Sequence, residues 1–65
     1  MSYYDYIVSR GITAQDYPFY ALLMALIRQA DDVNMAKIES AWPNVVAEVR
    51  ARYNAPGALL PGELS

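Results

Sequence analysis

The chain has no cysteine and no histidine, and only five cationic and seven acidic side chains among its 65 residues. Lack of cysteine excludes a disulfide framework, and the two absences together exclude the common zinc sites. They also remove Cys–His and Ser–His pairs, the usual routes to an activated nucleophile. The three glycines, Gly11, Gly57 and Gly62, stand apart, so no glycine-rich loop can cradle a phosphate. Charged residues make up 18% of the chain, against about 25% in an average domain. A chain this short is near the lower limit for an unaided core, and disulfides, a metal or association usually supplement it. With no cysteine or histidine to draw on, association is the expected supplement, and no cofactor or metal is expected.

Net charge is −2. The cations Arg10, Arg28, Lys37, Arg50 and Arg52 are scattered, which leaves no basic face to displace the counterions of duplex DNA. A helix-turn-helix regulator is disfavoured on the same ground. Apolar residues reach 55%, too many for disorder. No apolar run approaches the roughly 20 residues of a membrane span, and Ser2-Tyr3-Tyr4-Asp5 lacks the basic start of a signal peptide. No membrane partner is expected, and the expected compartment is the cytoplasm.

The most informative stretch is Phe19-Tyr20-Ala21-Leu22-Leu23-Met24-Ala25-Leu26-Ile27. Phe19, Leu22, Leu23, Leu26, Ile27 and Ala30 recur at helical spacing. Tyr20, Ala21, Met24 and Ala25 occupy the side where a peripheral helix would carry charge. A helix apolar nearly all round needs cover nearly all round, and a chain of this size has little to offer. The cover is therefore expected from another copy, a partner or a ligand.

Around this segment the sequence predicts an all-α fold. It is expected to be a small bundle of three to four short helices about one central apolar helix, with an extended C-terminal arm and a single domain over 1–65. The first helix is expected over about 3–10, with Ser2 and Asp5 as a capping pair and Gly11 left-handed just past its end. Pro18 belongs in the first turn of a helix over about 17–30. Asp32 or Asn34 is the expected cap of a helix over about 34–42, on which Met35, Ile38 and Trp42 share a side and Trp42 enters the core. Pro43 opens the last helix, about 43–53, with Val45, Val46, Val49 and Tyr53 as its apolar stripe. Asn54-Ala55-Pro56-Gly57 ends it. The irregular tail over 54–65 carries Leu59, Leu60 and Leu64, and is expected to lie in a groove rather than fray.

Three stretches together resemble small uncharacterised helical proteins of phages and prophages. They are Asp16-Tyr17-Pro18-Phe19-Tyr20-Ala21-Leu22-Leu23-Met24, then Arg28-x-Ala30-Asp31, then Ala51-Arg52-Tyr53-Asn54-Ala55-Pro56-Gly57 with a closing Leu60-Pro61-Gly62-Glu63. The resemblance covers most of the chain and carries no catalytic motif. It implies accessory roles: virion or assembly parts, inhibitors of host proteins, or proteins that sequester immune-signalling nucleotides. The host cell cytoplasm is the implied compartment.

Asp31-Asp32 with Asn34 has neither the central glycine nor the closing glutamate of a calcium loop, and reads as a cap and turn. Glu39 and Glu48 read as solvated helix faces. Six tyrosines are many for 65 residues. Tyrosine suits protein interfaces, and beside arginine it also suits a nucleobase and its phosphate. Phe19, Tyr20, Leu23, Met24, Ile27, Leu59 and Leu60 are the candidate oligomer or partner interface. Tyr3, Tyr6, Arg10, Arg28, Arg50 and Arg52 are the candidate ligand-binding set. The expected function is that of a non-enzymatic accessory protein that homo-oligomerises and binds a host or phage protein. Sequestration of a small nucleotide and a virion or assembly role are the alternatives.

Overall fold

The computed structural model of the chain describes residues 1–63; Leu64, assigned above to the apolar tail, lies outside the described residues. The described residues form four α-helices and no strand: α1 (Tyr3–Ala14), α2 (Phe19–Gln29), α3 (Asp32–Ala41) and α4 (Pro43–Asn54). A 3-10 turn over Pro56–Ala58 follows α4. The protein is all-α.

The capping pair at the start of α1 is present in both directions. Asp5 N donates to Ser2 Oγ at 3.0 Å, and Ser2 N donates to Asp5 Oδ2 at 3.1 Å. The expected stop at Gly11 does not occur. Gly11 is helical, α1 runs on to Ala14, and the left-handed position falls to Asp16 at φ 55. The physical reason lies downstream. An interior glycine costs a helix only about 1 kcal/mol, whereas Pro18 disfavours helical backbone at Tyr17. Asp16, a residue type that tolerates the left-handed region, makes the turn between them.

Pro18 lies one position outside α2 rather than within its first turn. At φ −58 and ψ 143 it is extended, and its carbonyl accepts from Leu22 N at 3.1 Å. The cap of α3 is Asp31, not Asp32 or Asn34: Asn34 N donates to Asp31 Oδ1 at 2.8 Å. Pro43 opens α4 as expected, and Trp42 is the corner residue between α3 and α4. The tail is partly ordered by its own turn. Gly57 at φ 63 supplies the left-handed step, and Ala58 follows it at φ 59.

The buried core is small. Val46 is 0% exposed, Leu23 and Ile27 join it, and Met35, Ile38, Val45 and Val49 pack around them. α4 is packed by α3, by α2 and by the 3-10 turn, so α4 rather than α2 is the element on which the others gather. Two members of the expected stripes stay outside. Trp42 is 41% exposed, with its ring edge-on to Phe19 at 5.7 Å, and Tyr53 is 89% exposed one turn beyond Val49. α1 contributes no buried residue.

The dimensions register this incomplete closure. The Cα radius of gyration is 13.9 Å and the extents are 42 × 27 × 16 Å, whereas a compact chain of this length should have a radius near 10.7 Å, by order-of-magnitude scaling. Accessible surface is 5680 Å² for 7.3 kDa, about 1,500 Å² more than a compact monomer of that mass would expose.

Candidate interaction surface

Most of the exposed large apolar side chains lie on α1 and α2. Successive residues of a helix are about 100° apart. On α1 this places Tyr4, Ile7, Val8, Gly11 and Ile12 on one side, with Ser9 and Thr13 on the far side and Asp5 at the edge between them. The polar side is occupied with its own backbone: Ser9 Oγ donates to Tyr6 O at 2.6 Å and Thr13 Oγ1 to Ser9 O at 3.0 Å. The apolar side touches nothing that buries it.

α2 is divided in the same way. Leu23 and Ile27 face α4 and are buried within the chain, so their assignment to an interface with another molecule is corrected: they are core. Ala21, Leu22, Ala25 and Leu26 point outward, and Leu26 is 54% exposed. Phe19 and Tyr20, both 60% exposed, stand at the start of α2 with their rings edge-on at 5.3 Å. Together with Trp42 they form an aromatic corner at the accessible end of the core, a composition typical of interface anchors. Met24 is half-buried between α2 and α4, and Leu59 and Leu60 are half-buried on the tail.

The candidate ligand-binding residues divide among three places. Tyr3, Tyr6 and Arg10 are on α1, where Tyr6 and Arg10 line an open concavity with Met1, Ser2 and Thr13. Arg28 and Arg52 meet at a separate cleft of about 310 Å³, walled by Met24, Val49 and Tyr53 and floored by Ala55 and Ala58. Arg50 is at neither; its Nη1 donates to Glu39 Oε2 at 2.9 Å.

Within the cleft, Arg52 is already engaged by two carboxylates. Its Nε donates to Glu48 Oε2 at 3.0 Å, its Nη1 to Glu63 Oε1 at 2.7 Å and its Nη2 to Glu63 Oε2 at 2.6 Å. Nη1 also donates to Ala58 O at 2.9 Å, and Leu60 N donates to Glu63 Oε1 at 2.9 Å. The bidentate hydrogen bonds from Arg52, then the one from Leu60 N, hold the Glu63 carboxyl down to about 2. Hydrogen bonds to Glu63 and then to Glu48 raise the Arg52 guanidinium above its ordinary value. This cluster therefore fastens the tail across the end of α4, and its net charge is negative. A guanidinium held in this way has little left to offer a phosphate.

Sequence reasoning anticipated the Glu48–Arg52 spacing of four residues only as separate surface charges, although i,i+4 pairing is a local signal. Glu63, eleven residues from Arg52, carried no such signal. The apolar side of α1 and the Leu22–Leu26 side of α2 were also missed as one surface, because the sequence suggested that α1 would be short.

Among the described residues there is no cluster of three or more Asp or Glu side chains placed to hold a metal, and no helix long and apolar enough to cross a membrane. No family model, no curated protein and no solved structure matches the chain.

Proposed function

We propose that this chain is a non-enzymatic interaction protein, a small helical module that self-associates and presents an aromatic corner to a partner macromolecule. One observation carries the reading: about 1,500 Å² of surface beyond that of a compact monomer. The exposed large side chains are tyrosine, phenylalanine, tryptophan and aliphatic residues concentrated on α1 and α2, and exposed apolar surface on this scale marks interaction sites. The two groups moved furthest from their ordinary ionisation, Arg52 and Glu63, are each other's partners in fastening the tail. That gives them a structural task rather than a chemical one. Resemblance to phage accessory proteins supports a role in modulating a host or phage protein.

Sequestration of a small nucleotide is the second reading, favoured by the placement of Arg28 and Tyr53 at one cleft. A native mass spectrum of the protein purified from its own host separates the two. The first reading expects masses at multiples of the chain mass with no small molecule retained. A nucleotide retained in stoichiometric amount would establish the second reading instead. A strictly monomeric chain with no bound molecule would refute both.

A further inference from the structure

We infer that two copies of this chain pair by exchanging α1, each laying the apolar side of that helix against the outward Leu22–Ala25–Leu26 side of the other's α2. The inference deepens the self-association reading and rests on it.

The first ground is that α1 lacks the means to persist alone. It has 12 residues and no buried side chain. Isolated helices of about 12–15 residues are marginal even in alanine-rich sequences. This one carries β-branched Ile7, Val8, Ile12 and Thr13 together with Gly11, all weaker helix formers than alanine. Its capping box contributes at one end only.

The second ground is the complementarity of the two apolar sides. Gly11 lies in the middle of the α1 apolar side, and a Cβ added there would meet nothing within 4 Å. A bare backbone at that point admits the ridge of another helix, and Leu22 and Leu26 form such a ridge on α2. Ala21 and Ala25 beside them leave room for Ile7, Val8 and Ile12. Neither side carries a charge at its centre, so two identical copies meet without like-charge repulsion.

Area and hinge geometry decide the occupant. A standard association buries about 800 Å² per partner, and the surface in excess on each chain is nearly twice that. Reciprocal exchange uses both the α1 side and the α2 side of each chain, as a two-fold interface requires. The hinge between them is four residues, Gln15 to Pro18. Asp16 is held at φ 55 and Pro18 at φ −58, so the hinge is short and stiff, and α1 has no substantial packing against α2, α3 or α4. Short strained hinges favour exchange between copies over closure within one.

Sedimentation equilibrium combined with far-UV circular dichroism tests this on the full chain. The unaltered protein should have twice the chain mass. Leu26→Glu and Ile7→Glu should each reduce it to a monomer with less helix, while the cooperative melt of the Leu23–Ile27–Val46 core persists. Insertion of Gly-Ser-Gly-Ser after Asp16 should instead give a monomer of undiminished helicity, because a longer hinge lets α1 close on its own α2. If the unaltered chain is monomeric, self-association fails and the exchange fails with it. If it is oligomeric and all three variants keep that mass, the exchange alone is overturned.

Discussion

Among the described residues Val46 is the one large side chain the fold encloses completely, so shortening it tests the placement of the core directly. Val46→Ala removes two carbons from contact with Leu23 and Ile27. At about 0.8 kcal/mol per buried methylene, the transfer loss is about 1.6 kcal/mol. The cavity left behind adds to it, because α2, α3 and α4 meet at this point and cannot all close in, giving about 2–3 kcal/mol in total. A chain of 65 residues has a total stability of roughly 3–10 kcal/mol. The substitution therefore removes a large part of it, equivalent to a fall in Tm of about 10–20 °C for a domain of this size. Thermal unfolding followed by far-UV circular dichroism measures this, with both proteins at one fixed concentration because association shifts apparent stability. A loss below about 0.5 kcal/mol, the range of ordinary surface substitutions, would refute the placement of Val46 at the centre of the core.

Asp31→Ala should destabilise the protein by about 1 kcal/mol through loss of the bond to Asn34 N, measured by urea unfolding; no change would mean that Asp31 is not the cap. The Glu63 carboxyl, lowered from 4.5 to about 2, should titrate near the lower value by NMR. Because the folded value is depressed, the tail fastening is fully present above about 4.5 and lost as pH falls through about 2. A midpoint near 4.5 would show that the Arg52–Glu63 pair does not form. Gly11→Ala should raise helicity at dilutions where the chain is monomeric, since alanine favours an exposed helix interior by about 0.5–1 kcal/mol. Lower helicity would contradict the helical, uncrowded placement of Gly11.

The all-α class was legible because its signals are local. Ser2 with Asp5, Pro43 at a helix start, and the Val45–Val46–Val49 repeat each act within one turn, and each has its expected place. Helix boundaries are less legible, because each depends on competition between neighbouring signals. Gly11 carries the local signal of a stop, but Pro18 seven residues on is the stronger constraint and moves the turn to Asp16. The candidate surface was half legible. Phe19 and Tyr20 are exposed as an interface would need, but Leu23 and Ile27 are claimed by the core. Periodicity alone cannot tell which of two apolar sides of α2 faces inward, because that depends on where α4 packs. Arg52 was legible as a cation but not as a fastened one, since its main partner is eleven residues away in a segment without period.

The proposed exchange ties the order of α1 to association through a single physical deficit. Folding fixes the backbone at about 1–2 kcal/mol of lost entropy per residue, and over α1 no burial within the chain offsets it. The Leu23–Ile27–Val46 core lends little stability to α1, because no α1 side chain packs against that core. Cover from outside is what remains, and in an exchanged pair each copy supplies the other's. On that proposal the helix and the interface form in one step, so helicity in residues 3–14 should depend on protein concentration while that of α2 to α4 should depend on it much less. A fixed, concentration-independent helicity throughout the chain would separate the two processes and leave the apolar side of α1 without a reason to be apolar.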